Sequence, residues 1–328
     1  MFLNLLSEIE VGYLKTRSIN SVVIQSSWKQ LTDTCEITLP TNIIRRNENY
    51  TDLIKLGDPI TVSMSVDGID KLKPEFYGYV VSKSDHASGK IYCEDEMYIL
   101  KKRKIAGKSW SNAKIEEILD YIVKDYEVVI SESMNANITL GKFKIDSDAT
   151  AAKAIYSLKD YGIHCFFRDK VLYVGLANDH SFNRHIFDLN RNIVTHNLTR
   201  DTWRERASVQ IKATSFLPSG GKVVLFLPKE APENSVIRTR NFGSLSNDPE
   251  EAKRLMAVFV KQEVKESTNE GYTGSLTCFG IHNVKHGDEV KIFNGKKNEY
   301  GVYLVDKVTT SFGEVYMRRV VDIGLRIS

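Results

Sequence analysis

The sequence predicts an α+β protein, mainly β, with two related small β-barrel domains and inserted or adjoining α/β elements. Two stretches and the texture between them carry this reading. Leu56-Gly57-Asp58-Pro59 leads into an alternating run over residues 60–66, a turn at Asp67-Gly68, and a strand through Gly78 to Val81. A turn at Gly89 then gives Ile91-Tyr92. Near the C-terminus, His286-Gly287-Asp288-Glu289 leads into residues 290–293, a turn at Asn294-Gly295, and a strand through Gly301 to Val305. Gly313 then turns into Val315-Tyr316. The landmarks come in the same order, with one shorter hairpin loop in the second copy, so the pattern reads as a duplication. Gly57 is matched with Gly287 and Gly78 with Gly301, while Asp58 and Asp288 complete the two Gly-Asp turns. Asp-Gly and Asn-Gly between alternating strands are hairpin signals. Between the two copies the period shifts from two to that of a helix.

Taken in order, residues 7–39 are strand-like, with Ile9-Glu10-Val11, Val22-Val23-Ile24-Gln25 and Cys35-Glu36-Ile37-Thr38-Leu39 as short apolar or alternating runs. Pro40 ends the last, because it cannot donate to a sheet ladder. Residues 43–56 read as a loop with a helical turn. About six or seven strands before residue 100 suffice for a small barrel with few exposed edges, placed at 1–104. An α/β insertion follows at 105–178. Its first helix starts behind Ser111 and Asn112 and carries Ile115, Ile118, Leu119, Ile122, Val123 and Tyr126 at helical spacing. Its second runs from about Asp148 to Tyr161 and stops at Gly162. A hairpin over 163–174 turns at Arg168-Asp169-Lys170. The second barrel spans 179–328. It contains a hairpin around Pro218-Ser219-Gly220-Gly221 and a helix near 248–266. There Asp248 caps, Pro249 takes the first turn, and Glu251 has capping-box spacing.

Composition bounds the function. The 328 residues exceed one ordinary core, at ~100–200 residues per domain. Forty-five basic and 42 acidic side chains leave a net charge of +3, so no bulk field draws nucleic acid or membrane. The apolar N-terminus lacks a basic lead, is interrupted by Glu8 and Glu10, and does not read as a signal peptide. No apolar run approaches the ~20 residues of a membrane span, so membrane insertion is not expected. Cys35, Cys93, Cys165 and Cys278 are far apart in strand-like surroundings and read as buried reduced thiols. The sequons at Asn49, Asn137 and Asn197 read as chance matches in a chain without a secretion signal.

Sites with chemistry are scarce. Lys101-Lys102-Arg103-Lys104 is the densest basic run. It reads first as a solvated domain boundary and second as a contact for a partner or a channel. Gly107-Lys108-Ser109 is not a phosphate loop, since Lys102 stands where that loop needs its first glycine. His180 and His185 share a polar stretch without a third ligand at metal spacing. No nucleophile elbow appears, and Trp28, Trp110 and Trp203 fall singly, as core or interface anchors do. The expectation is a protein that is not an enzyme, with no catalytic residues, metal or cofactor.

One resemblance adds to this. Glu250-Glu251-Ala252, Gly271-Tyr272-Thr273-Gly274-Ser275-Leu276 and Gly280-Ile281-His282-Asn283-Val284-Lys285-His286-Gly287-Asp288-Glu289-Val290 resemble the C-terminal part of baseplate hub proteins of contractile phage tails. That family is also called late control protein D-like, and the hub half of type VI secretion spike proteins is related. Trp28-Lys29-Gln30-Leu31-Thr32-Asp33-Thr34-Cys35-Glu36-Ile37 fits the hub's first barrel. One departure is Ile281-His282, where the family carries proline. The resemblance implies a virion structural protein assembled in the bacterial cytoplasm. It implies a homotrimeric ring of near-six-fold symmetry that joins a tail tube protein to a central spike protein. DNA could pass through such a ring without sequence-specific binding. Two alternatives stay open: a receptor- or polysaccharide-binding tail component, and a peptidoglycan-cleaving tail enzyme.

Overall fold

The computed structural model describes the chain except residues 1–4, 41–43, 46–47, 50–52, 67–71, 85–88, 132–137, 176–181, 202–207, 232–234, 268–270, 296–298, 314–315 and 328. The expected turn at Asp67-Gly68, as well as Asn137, His180, Trp203 and Val315, lies outside the described residues.

The N-terminal strands are β1 (Leu5–Val11), β2 (Leu14–Thr16), β3 (Ser21–Ser27), β4 (Thr34–Leu39), the short pair β5 (Ile44–Arg45) and β6 (Glu48–Asn49), β7 (Pro59–Val66), β8 (Lys73–Lys83) and β9 (Gly89–Glu94). Helix α1 (Met97–Lys102) leads to β10 (Lys108–Lys114), α2 (Ile115–Val123), β11 (Val129–Ile130), β12 (Thr139–Ile145), α3 (Ala151–Ser157), β13 (His164–Arg168) and β14 (Val171–Gly175). The remainder is β15 (Arg184–Asp188), β16 (Ile193–His196), β17 (Thr199–Asp201), β18 (Val209–Phe216), β19 (Lys222–Leu227), β20 (Val236–Phe242), α4 (Pro249–Ser267), β21 (Gly271–Phe279), β22 (Glu289–Asn294), β23 (Glu299–Gly313) and β24 (Met317–Arg326).

The mainly-β, α+β character is present, but the two expected barrels are not. Fourteen strands form one sheet along the open path β16-β21-β24-β23-β3-β4-β9-β8-β7-β1-β2, with β15, β17 and β22 attached beside it. The ends of the path do not pair with each other among the described residues. The reason lies in β23. Its first half pairs with β22, from Glu289↔Leu304 to Asn294↔Glu299. Its second half pairs with β3, from Lys307↔Ser27 to Gly313↔Ser21. One long strand thus passes from the C-terminal strands to the N-terminal ones. The edges that would have closed two separate barrels are used to join them. Register shifts at 303–307 in β23, and between Val62/Ser63 and Val80/Ser82, supply the bends that such a sheet requires.

Three main cores sit under these elements. Ile9, Val22, Ile37, Leu39, Val62, Val80 and Ile91 fill the first, which also takes Phe312 and Met317 from the far end of the chain. Phe187, Leu276, Val290, Ile292, Val305 and Val321 fill another. The α/β core is larger. It joins Ile115, Ile118, Leu119 and Ile122 of α2 to Phe143, Ile155 and Phe167, and also to Ile211, Ala213, Leu255, Met256 and Phe259. Residues of β18 and α4, grouped by sequence with the C-terminal unit, therefore pack with the α/β elements.

Two helix starts differ from expectation. Ser111 and Asn112 belong to β10, paired with β12, and α2 begins at Ile115. α3 is capped by Thr150, whose hydroxyl accepts from the Lys153 N–H, and it passes through a 3₁₀ turn to Gly162. At α4, Asp248 caps through the amides of Glu250 and Glu251 at 3.4 and 3.1 Å. The capping box is left half-made, because the Glu251 carboxylate instead holds Arg254 at 2.7 Å.

Candidate functional site

The two Gly-Asp turns have the same backbone bonds. Gly57 N–H donates to Val80 O at 2.8 Å and Val80 N–H returns to Asp58 O at 3.0 Å; Gly287 donates to Val305 and Val305 returns to Asp288, both at 2.8 Å. Each aspartate accepts from the amide three residues earlier, Lys55 or Lys285, at 2.8 Å. Both glycines have a left-handed φ, 88° and 81°, which side chains with a Cβ resist. Registers place Gly78 opposite Ile60 and Gly301 opposite Ile292. Counted from Val80 and Val305, Gly78 falls level with Tyr303, and Gly301 lies two residues away. Both glycines are within strands, not at turns.

The surroundings of the two aspartates diverge. Asp58 is half-buried. Asp288 has no exposed surface, and its carboxylate accepts from Arg168 Nη2 at 2.7 Å, His185 Nε2 at 3.0 Å and Asn183 N–H at 3.2 Å. Burial pushes the Asp288 carboxyl up, but the bonds from His185, Arg168 and Lys285 outweigh it and hold the group below its ordinary value. Arg168 also donates to His286 O at 2.9 Å and lies 4.0 Å from the Phe182 ring centroid. One buried guanidinium thus clamps β13 of the α/β core to the turn before β22.

The same point ties in the N-terminal strands. His286 Nε2 is 3.4 Å from Asp33 Oδ2, and Asp33 accepts from the Ser27 N–H at 2.9 Å. Asp95 accepts from the amides of Asp33 and Met97 and so starts α1. Burial, then the charge of Asp33, pushes the Asp95 carboxyl well up. Trp28, Phe166 and Leu304 pack together beside this network, one from each region. Nearby, Arg319 of β24 makes a bidentate pair with Glu75 of β8 at 2.7 and 3.0 Å, both side chains less than a tenth exposed. The cleft between these groups holds about 60 Å³. That admits a few waters and falls short of the ~300 Å³ or more of a typical ligand site. No cluster of three metal-ligating side chains occurs among the described residues.

The basic run is partnered within the chain. Lys101 pairs with Glu94 at 2.9 Å, Arg103 with Asp125 at 4.0 Å and Lys104 with Asp148 at 3.1 Å. Lys102 lies 4.7 Å from the Tyr98 ring centroid. Sequence reasoning missed Arg168, His286, Asp33, Glu75 and Arg319. Arg168 stood in an expected turn, 120 residues from Asp288, and no local pattern links the two.

Neither a protein-family model nor a curated protein sequence matches the chain. Solved structures do match it. The 43 kDa tail protein of prophage MuSo2 from Shewanella oneidensis aligns over 97% of both chains with 15% identity and a TM-score of 0.66. A tail protein from Neisseria meningitidis MC58 aligns over 98% of this chain and 96% of its own, with 14% identity and a TM-score of 0.68. An E. coli component of the type VI secretion system, itself similar in structure to T4 bacteriophage tail proteins, aligns over 98% of this chain and 79% of its own. Its identity is 11% and its TM-score 0.59. The chain thus has the fold seen in phage tail proteins and in this type VI secretion component.

Proposed function

We propose that this chain is a structural hub of a phage-like contractile tail, a baseplate ring component that joins the tail tube to the central spike. The observation that carries this reading is the end-to-end likeness to prophage tail proteins, 97% of both chains in the Shewanella oneidensis case. Two Gly-Asp turns with matching hydrogen bonds in one chain support the finer proposal of a homotrimer. Three copies would set six such strand units around an axis, near-six-fold toward a tube and three-fold toward a spike. The role is one of interface geometry, without turnover or cofactor. The polar cluster at Asp288, Asp33 and Arg319 is spent on holding the three cores together. In this reading the protein is assembled in the bacterial cytoplasm and resides in the virion, and DNA passes without being read. The test is reconstitution with the neighbouring tube and spike proteins, followed by native mass measurement and imaging. Three copies around a channel are expected; one copy, or a dimer facing away from any axis, overturns the proposal.

A further inference from the structure

Strand β20 is an edge with unusual content. It pairs in parallel with β18, from Val209↔Val236 to Ser215↔Phe242, and its other side meets no strand among the described residues. The Val236 N–H donates inward to Ser208 O at 2.7 Å. By strand alternation the N–H and C=O groups of Ile237, Thr239 and Asn241 point outward, unpaired in the ladder. All of residues 236–241 are exposed, including Val236 at 51% and Ile237 at 57%. Arg238 and Arg240 lie on one face, about 6.6 Å apart along the strand. Neither makes an ion pair among the described residues, unlike Lys101, Arg103 and Lys104; Arg240 lies 5.9 Å from the Phe242 ring centroid. The neighbourhood is cationic: burial first, then Lys159, Lys29 and Arg240, push His164 down to about 4.

We infer that β20 is a docking edge for an extended acidic segment of a partner protein, which adds as a further strand beside it. The matching chemistry is specific. Carboxylates two residues apart would face Arg238 and Arg240 with the residue between them opposite Thr239, and the apolar residue flanking the carboxylate at Arg238 would lie beside Ile237. The outward amides and carbonyls fit a peptide backbone; phosphodiester oxygens could use the amides but offer nothing to the carbonyls. The inference stands on this edge alone and does not depend on the tail-hub reading.

The test uses the full chain and a fluorescein-labelled peptide of alternating Glu and Val, read by anisotropy. The controls are an alternating Lys-Val peptide and a single-stranded oligonucleotide. Binding of the Glu-Val peptide alone is expected, weakened about tenfold or more in the R238E/R240E variant, the equivalent of ~1.4 kcal/mol or more. Ile237→Pro removes an outward N–H while sparing the β18 ladder, and it is expected to weaken binding several-fold with an unchanged melting curve. The inference is overturned by no peptide binding, by equal binding of the oligonucleotide or the Lys-Val peptide, or by Ile237→Pro leaving affinity unchanged. Self-association of the protein through this edge, lost in R238E/R240E, also overturns it in favour of a second copy as occupant.

Discussion

Replacing Asp288 by alanine should cost far more than the same change at Asp58, although the two occupy matching turns. At Asp58 the loss is the side-chain bond from the Lys55 amide, at a half-buried position. That is worth about 1 kcal/mol. At Asp288 four donors lose their acceptor, and one is the Arg168 guanidinium, whose side chain is 7% exposed. Leaving a buried charge without its partner costs about 3–5 kcal/mol. Equilibrium guanidinium denaturation, followed by both tryptophan fluorescence and far-UV circular dichroism, measures the difference. Adding Arg168→Met to Asp288→Ala should recover part of the loss, because the stranded charge goes too. The pH dependence has a definite sign. The Asp288 carboxyl is held below its ordinary value, so its contribution is full above about pH 4 and lost as pH falls through the folded value. The wild-type protein should therefore lose stability in that acid range by more than the Asp288→Ala variant does. Equal losses at Asp58 and Asp288, or a loss under about 1 kcal/mol at Asp288, would refute the clamp.

Three further outcomes are expected. Glu75→Gln should destabilise by about 3 kcal/mol or more in the same denaturation assay, since it strands Arg319 in the interior; a change under about 0.5 kcal/mol, typical of surface sites, would count against a structural pair. Gly287→Ala should lower the thermal midpoint more than Gly57→Ala. Both impose positive-φ strain, but the new methyl at 287 meets the Phe182 ring at 2.9 Å, whereas at 57 the nearest atom is Tyr98 Oη at 3.4 Å. The four free thiols are buried, and burial pushes Cys93 and Cys165 up to about 12 and Cys278 to about 11. A thiol reagent at pH 8 should label none in the native protein and all four in denaturant, and native labelling of any would show that region to open.

Much of the local structure was legible in the sequence. Period-two runs marked most of the long strands, Asp248-Pro249 marked the start of α4, and Gly57-Asp58 and Gly287-Asp288 marked turns whose backbone bonds agree to within 0.2 Å. Such features are decided within a few residues, by φ limits, by caps and by the alternation of side chains. Sheet closure is not decided that way. Whether β23 curls back on its own neighbours or pairs with β3 depends on backbone edges about 280 residues apart, and hairpin signals carry nothing about that choice. Charge behaved likewise. Lys101–Lys104 read as a solvated boundary or a partner contact, and only folding set Glu94, Asp125 and Asp148 beside it. The sequence by itself determined most of the long strands and the two Gly-Asp turns. Tertiary structure alone decided that fourteen strands form one open sheet, and that Asp288, unlike Asp58, became a buried anchor. The physical reason is that burial and long-range pairing set the dielectric and the partners of a side chain, and neither is a property of its neighbours along the chain.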